Sequence, residues 1–193
     1  MAGRLKAALV AVGGSLFPFF PFVISPAAVG LVALRRGGGD GLILTLWAIL
    51  PLLLIRYVSD VSPLMIWALI ATVPVVLVVA SALRAGASWA QVLIAAGVLS
   101  ALFALSMQLV FAAEAEQLRL ALVKFFEQLQ AGAAVAKKSV MVPTTAFVVG
   151  MVALMIAISA VGSLLLARWW QALLFNPGGF RQEFHALRVD RAL

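Results

Sequence analysis

Long uninterrupted runs of apolar residues alternate with short polar turns along most of the chain, as in Leu42–Ile55 and Val140–Ala167. Strands of a membrane-spanning barrel would instead alternate apolar and polar residues over about ten positions. In lipid, only helices and closed barrels satisfy their own backbone hydrogen bonds. The continuous runs therefore predict an all-α bundle of membrane-spanning helices, each of which needs about 20 mostly apolar residues.

Prolines divide the first apolar stretch, Leu5–Leu34, which is too long for one straight span. Pro18, Pro21 and Pro26 fall within it, and proline kinks or ends a helix because it lacks a backbone donor. We therefore divide the stretch into two short spans that form a hairpin. The six predicted spans cover about residues 5–20, 22–34, 42–57, 64–83, 89–112 and 143–166, and the last apolar run extends towards Phe175.

An amphipathic helix is predicted between spans 5 and 6, over residues 114–138, where charged residues first become frequent. Its apolar positions recur at helical spacing. They are Leu118, Leu122, Phe125 and Leu129. The segment holds three acidic and four basic residues, which argues against a simple binder of anionic lipid. It is expected either to lie on the outer leaflet or to fold over the bundle as a lid. Residues 1–175 form the predicted membrane bundle and residues 176–193 a cytoplasmic tail.

The composition agrees with a membrane location, because 65% of the residues are hydrophobic and only 11% are charged. Soluble domains carry about 25% charged residues. The chain has no cysteine and a single histidine, His185, so thiol chemistry is excluded and neither a metal site nor a cofactor is expected. The net charge of +7 is attributed to cytoplasmic loops rather than to nucleic-acid binding.

The distribution of lysine and arginine predicts the orientation in the membrane. With six spans and a cytoplasmic N-terminus, nine basic residues lie inside and five outside, whereas five spans would divide them seven and seven. The inner nine are Arg4, Lys6, Arg35, Arg36, Arg84, Arg168, Arg181, Arg188 and Arg191, and the outer five are Arg56, Arg119, Lys124, Lys137 and Lys138. Six spans with both termini in the cytoplasm are therefore predicted.

Small residues recur every four positions on two of the spans and form smooth stripes. The first stripe consists of Gly3, Ala7, Ala11 and Ser15, and the second of Ala96, Ser100 and Ala104. Such stripes mark close helix packing in membranes, where lipid supplies no hydrophobic drive between helices. The second stripe is expected to pack internally. The first packs internally or docks to a separate membrane partner.

A group of polar residues is predicted to meet at the outer end of the bundle, where it could line a ligand pocket. Its members are Arg56, Tyr57, Asp60, Gln108, Glu114, Thr144 and Thr145. The alternative is that they snorkel to the interface or cap helices. Gln108 is the most informative of them, because a side-chain amide inside a membrane needs a partner.

Catalytic motifs are missing from the sequence, which contains no Walker-type phosphate loop, no HExxH and no paired intramembrane aspartates. The glycine-rich segment Arg35–Gly41 follows a predicted span rather than a strand, so it is predicted to be a turn. We therefore expect a protein that is not an enzyme.

Two segments resemble a known family. Pro21–Arg36, PFVISPAAVGLVALRR, resembles the helix 1–2 region of the YybS-like bacterial membrane proteins, and Ala167–His185, ARWWQALLFNPGGFRQEFH, resembles their proteobacterial members. That family is similar to the S components of energy-coupling-factor transporters. The resemblance implies an S-component-like six-helix bundle that binds a vitamin or metal near the outer face. It also implies docking to a coupling transmembrane subunit and its ATPase through Ala7 and Ala11. The motifs of known vitamin binders and the metal-binding N-terminal histidine are absent.

The sequence therefore favours a small-solute-binding transport subunit in a bacterial inner membrane. The alternative is a non-transporting scaffold or regulator that acts through its cytoplasmic tail.

Overall fold

The computed structural model describes residues 7–13, 23–59, 62–132 and 143–175, and every regular element in them is an α-helix. We number the helices in chain order. They are α1 (residues 7–13, the described part), α2 (Ile24–Arg36), α3 (Gly38–Val58), α4 (Pro63–Arg84), α5 (Trp89–Val110), α6 (Ala112–Gly132) and α7 (Thr145–Phe175).

Helix α4 forms the centre of the bundle. It contacts α2, α3, α5, α6 and α7, and 72% of its most apolar stretch is buried, against 28–39% for α3, α5 and α7. Successive contacts join α3 to α2, α2 to α7 and α7 to α5, so these four helices form an arc around α4. No contact joins α3 to α5 among the described helices, which leaves one side of α4 open.

The prediction of an all-helical membrane protein is confirmed, because four helices are long and apolar enough to cross a bilayer: α3, α4, α5 and α7. Large apolar side chains project outward from them. Among the exposed ones are Leu46 and Leu50 on α3, Leu102 and Leu105 on α5, and Leu154 and Ile158 on α7. Exposed apolar surface of this extent is unfavourable in water and is accounted for by lipid.

The N-terminal hairpin differs from an ordinary pair of spans. Helix α2 has 13 residues, which corresponds to about 20 Å at 1.5 Å per residue. The hydrocarbon core of a bilayer is about 30 Å thick. At its start, the carbonyl oxygen of Val23 lies 3.1 Å from Oγ of Ser163, which is well inside the long helix α7. Helix α2 therefore extends along the bundle for less than the depth of a membrane.

The polar turn predicted at Arg35–Gly41 is much shorter than expected, because the helices extend into it from both sides. Helix α2 continues to Arg36 and α3 begins at Gly38. Only Gly37 lies between them, and its φ of 101° belongs to a region that favours glycine. The guanidinium of Arg84 donates to the carbonyl oxygen of Leu34 at 3.1 Å, which satisfies one of the unpaired carbonyls at the end of α2.

The other predicted spans agree with the helices to different degrees. Helices α4 and α5 match spans 64–83 and 89–112 within two residues at each end. Helix α7 continues to Phe175, well beyond the predicted boundary at residue 166. It passes through Arg168, whose Nη1 donates to Oε1 of Gln171 at 3.2 Å. A charged residue ends the apolar run in the sequence, but the helix continues because its backbone hydrogen bonds are not interrupted.

The amphipathic segment forms a separate helix, α6, because the chain bends at Phe111. Its first turns are attached to the bundle through buried Ala115 and through Arg119, whose Nη1 donates to the carbonyl oxygen of Pro143 at 3.4 Å. Arg119 also binds both carboxylate oxygens of Glu116, and this hydrogen bonding lowers the pKa of Glu116. Leu118 and Phe125 are exposed, so the bundle does not cover these two positions of the apolar stripe. Residues 133–138 of the predicted segment lie outside the described residues.

Candidate functional site

The described members of the predicted outer polar cluster lie on several helices and at the start of α7. Tyr57 is 91% exposed and Arg56 is exposed beside it, whereas Gln108 and Glu114 are half-buried on other helices. Asp60 lies outside the described residues. No hydrogen bond joins the described members, and none of them lines the cavity of about 440 Å³ between α1, α2, α3 and α7 or the groove of about 280 Å³ between α4 and α5. The ligand site there stays a prediction.

Helix capping accounts for one member of that cluster. Oγ1 of Thr144 accepts a hydrogen bond of 3.2 Å from the backbone N–H of Phe147, at the start of α7. The first N–H groups of a helix have no partner within it, and a threonine side chain commonly supplies one. Thr145, its neighbour, is the first residue of α7 and is half-buried. This agrees with the alternative of capping that the sequence left open.

The small-residue stripes face inward. Ala11 is completely buried against residues of α2, α3 and α4, and half-buried Ala7 packs against the same cluster. Ala96, Ser100 and Ala104 are also buried. These positions agree with internal packing, and Ala11 presents no surface to a partner. Gly3 and Ser15, the other members of the first stripe, lie outside the described residues.

Two ends of the bundle can be distinguished by charge. We call the end where α2 and α4 finish and α3 and α5 begin the basic end, and the opposite one the distal end. The described charges at or near the basic end are Arg35, Arg36, Arg84 and Arg168 against Asp40, and those at the distal end are Arg56, Arg119 and Lys124 against Glu114, Glu116 and Glu127. The basic end therefore carries a net positive charge, whereas the charges of the distal end balance.

A cleft of about 440 Å³ lies at the basic end, between α1, α2, α3 and the last turns of α7. Its walls are mostly apolar. They are formed by Ala7, Ala8, Leu31, Val32, Ile43, Leu44, Trp47 and Leu174, and the polar residues of the lining are Arg35, Arg36 and Asp40. We call this cavity the basic-end cleft.

The turn at Gly37 positions the polar side of the cleft. Because one residue separates the two helices, Arg35 and Arg36 in the last turn of α2 lie next to Asp40 in the first turn of α3. Nη1 of Arg36 lies 3.9 Å from Oδ2 of Asp40. Arginine near a helix C-terminus and aspartate near an N-terminus both interact favourably with the helix dipole.

Close packing beneath the turn holds α3 in place. A Cβ atom on Gly41 would lie 2.6 Å from Cδ1 of Leu77 and 3.1 Å from Cβ of Ala33, so only glycine allows this approach of α2, α3 and α4. Gly30 makes a similar approach, since its Cβ would lie 3.1 Å from Cγ1 of Val76. The helices beside the cleft are therefore closely packed at these two glycines.

A second, smaller groove of about 280 Å³ runs along the open side of α4, between α4 and α5. Its lining is apolar apart from Ser106, and it ends distally at Trp67 and Phe111, whose rings lie 5.6 Å apart. No charged residue borders it. It therefore lacks the polar groups that would orient a specific ligand.

Sequence reasoning did not single out the residues of the basic-end cleft. Arg35, Arg36 and Asp40 were predicted as part of a turn and as topology signals, because paired arginines at the end of a span usually serve that purpose. Trp47 lies in the middle of α3 rather than at an interface. A tryptophan in the middle of a predicted span is the sequence feature that could have indicated the cleft.

The sequence matches no protein-family model, and no curated protein or solved structure is significantly similar to it. The fold and its exposed apolar faces define the class, an all-helical membrane protein with four long apolar helices. The resemblance to the YybS-like proteins and to the S components stays a prediction.

Proposed function

We propose that the chain is a multi-span protein of a bacterial inner membrane that binds a small amphipathic molecule in the basic-end cleft. One observation carries the proposal, namely a cavity of about 440 Å³ with apolar walls and a polar side formed by Arg35, Arg36 and Asp40. Ligand pockets of proteins commonly enclose about 300–1,000 Å³ and combine an apolar lining with a few polar groups that fix orientation.

The orientation we propose places the basic end in the cytoplasm. The excess of arginine at that end supports it, because cytoplasmic loops of membrane proteins carry more lysine and arginine. The described start of α1 and the last turns of α7 both border the basic-end cleft, which supports a cytoplasmic location for both termini.

A role in transport rests on a separate argument. The sequence has no phosphate-binding loop, so active transport would require a coupling subunit and an ATPase from elsewhere. The resemblance to S components supports such partners. It also implies a ligand near the outer face, whereas the cleft lies at the basic end. The binding part of the proposal therefore rests on the cleft, and the transport part on the resemblance alone.

Native mass spectrometry of the gently solubilised protein tests whether the cleft is occupied. We expect the native chain to retain a bound molecule and Trp47→Ala to lose most of it, because Trp47 lines the cleft. Trp169→Ala is the matched control, since Trp169 is similarly exposed and lines neither cavity. A native chain that retains no molecule, or equal loss in both variants, would contradict the proposal.

A further inference from the structure

The walls of the basic-end cleft face the bilayer as well as the end of the bundle. Ile43 is 56% exposed, Trp47 is 53% exposed and Leu174 is 62% exposed, and all three line it. They lie on the helices that present apolar surface outward. A molecule can therefore enter sideways from lipid, and an occupant that is itself a lipid needs no passage through water.

The cleft also has the length of a lipid tail segment. Trp47 lies about 14 Å along the axis of α3 from its first residue, Gly38, at 1.5 Å per residue. This distance is close to half of a hydrocarbon core about 30 Å thick. An acyl chain whose headgroup lies at the basic end therefore reaches to the depth of Trp47, alongside Ile43 and Leu44.

The charge at the mouth of the cleft selects among lipids. Among the described residues that line it, Arg35 and Arg36 stand against one carboxylate, that of Asp40, so this lining carries a net positive charge. Arg84 adds to this charge, because a Cβ on Gly37 would lie 3.9 Å from Cζ of Arg84. Basic pockets between membrane helices on the cytoplasmic side bind anionic headgroups. An anionic headgroup therefore complements the mouth better than a zwitterionic one.

We infer that the occupant of the basic-end cleft is an anionic phospholipid of the adjoining leaflet. Its phosphate lies at Arg35 and Arg36, and one acyl chain lies along Ile43, Leu44 and Trp47. This inference rests on the proposed function and narrows the amphipathic molecule to one class. The apolar walls complement an acyl chain, and the cationic mouth complements the anionic headgroup. The lateral opening allows such a lipid to enter from the bilayer.

The test compares two lipids with identical acyl chains, phosphatidylglycerol and phosphatidylcholine, added in equal amounts to the delipidated full-length chain. Native mass spectrometry counts the lipids retained. We expect one phosphatidylglycerol to be retained about fivefold better than phosphatidylcholine, since the lining carries one net positive charge and each basic residue near an anionic headgroup contributes about fivefold. Equal retention of the two lipids would overturn the inference.

Variants locate the binding. Arg35→Gln combined with Arg36→Gln should reduce retention of phosphatidylglycerol to that of phosphatidylcholine, whereas Arg35→Lys with Arg36→Lys should keep most of the preference. Trp47→Ala should weaken retention of both lipids. Arg56→Gln, at the distal end of α3, is the control and should change nothing. An equal loss in this control would contradict the assignment, and gel filtration of the Lys pair confirms that the chain folds.

A soluble headgroup separates this inference from the proposed function. Glycerol 3-phosphate carries the same anion without acyl chains, and it should not displace phosphatidylglycerol at equal concentration. If it does, or if the native chain retains a non-lipid molecule that Trp47→Ala loses, the cleft binds a solute and the lipid inference falls. If Trp47→Ala changes the retention of neither lipid and the native chain retains no other molecule, the lipid inference and the proposed function are both contradicted.

Discussion

Single glycines set how closely the helices approach at the basic end. Gly41 and Gly39 belong to the same turn of α3, yet a Cβ on Gly41 would lie 2.6 Å from Cδ1 of Leu77, whereas a Cβ on Gly39 would meet no atom within 4 Å. Leu77 can move its side-chain end, but Cβ of Ala33, which would lie 3.1 Å away, is fixed to the backbone of α2. The space at Gly41 is therefore filled by two neighbouring helices.

We predict that Gly41→Val destabilises the chain by about 1–3 kcal/mol, the usual range for overpacking a core. Gly39→Val is the matched control, because it changes helix propensity in the same way but meets open space. The midpoints of thermal unfolding in detergent, measured for both variants, check this. Equal midpoints would show that the close approach at Gly41 does not stabilise the fold.

At the residue scale, the sequence predicts packing better than chemistry. The spacing of Ala96, Ser100 and Ala104 correctly predicted a buried face on α5. The importance of Gly41 could not be predicted, because it depends on Leu77 and Ala33, which lie opposite only in three dimensions. In the outer polar cluster, the cap that Thr144 supplies at the start of α7 agrees with the capping alternative, and the ligand site stays a prediction.

At the scale of elements, the start of α5 is fixed by a reciprocal pair of hydrogen bonds. Oγ of Ser88 accepts from the backbone N–H of Gln91 at 3.2 Å, and Oε1 of Gln91 accepts from the backbone N–H of Ser88 at 2.9 Å. This capping box satisfies two donors that the helix itself leaves unpaired. It also defines the turn between α4 and α5 at the basic end.

We predict that Ser88→Ala destabilises the chain by about 1 kcal/mol, the typical cost of losing an N-cap. Ser88→Asp should retain most of the stability, because a carboxylate also caps a helix start. Ser106→Ala is the control, since that serine is exposed and bonds only the carbonyl of Phe103 within its own helix. Unfolding midpoints distinguish the variants, and a loss as large in Ser106→Ala would contradict the role of the cap.

In the structure, helices end where backbone hydrogen bonding ends. The span boundaries predicted from the sequence were instead placed where polar residues interrupt an apolar run. Pro63 correctly predicted the start of α4, because proline at the first helical position lacks only a donor that would be unpaired there. The single-residue turn at Gly37 was missed for a physical reason, whereas the predicted extension of the last apolar run towards Phe175 agrees with α7, which continues through Arg168. Charged and glycine residues end an apolar run, but a helix continues through them where its hydrogen bonds and caps are satisfied.

At the scale of the whole molecule, the sequence correctly predicts a helical membrane protein, and four helices are long and apolar enough to cross. The number of crossings depends on the N-terminal hairpin. Prolines divide its sequence clearly, but they do not determine how deep it reaches, which depends on packing against the middle of α7 near Ser163. The proposed orientation rests on charge, because more of the described arginines lie at the basic end than at the distal end.

Cysteine labelling tests the central claim, that the bundle crosses the membrane with its basic end in the cytoplasm. The chain has no cysteine, so single sites can be introduced without background. Ala85→Cys places one at the basic end, in the turn after α4, and Gln117→Cys places another on exposed α6 at the distal end. A membrane-impermeant maleimide should label Gln117→Cys in intact spheroplasts and Ala85→Cys only after permeabilisation. Labelling of both sites in intact spheroplasts, or the reverse pattern, would contradict the claim.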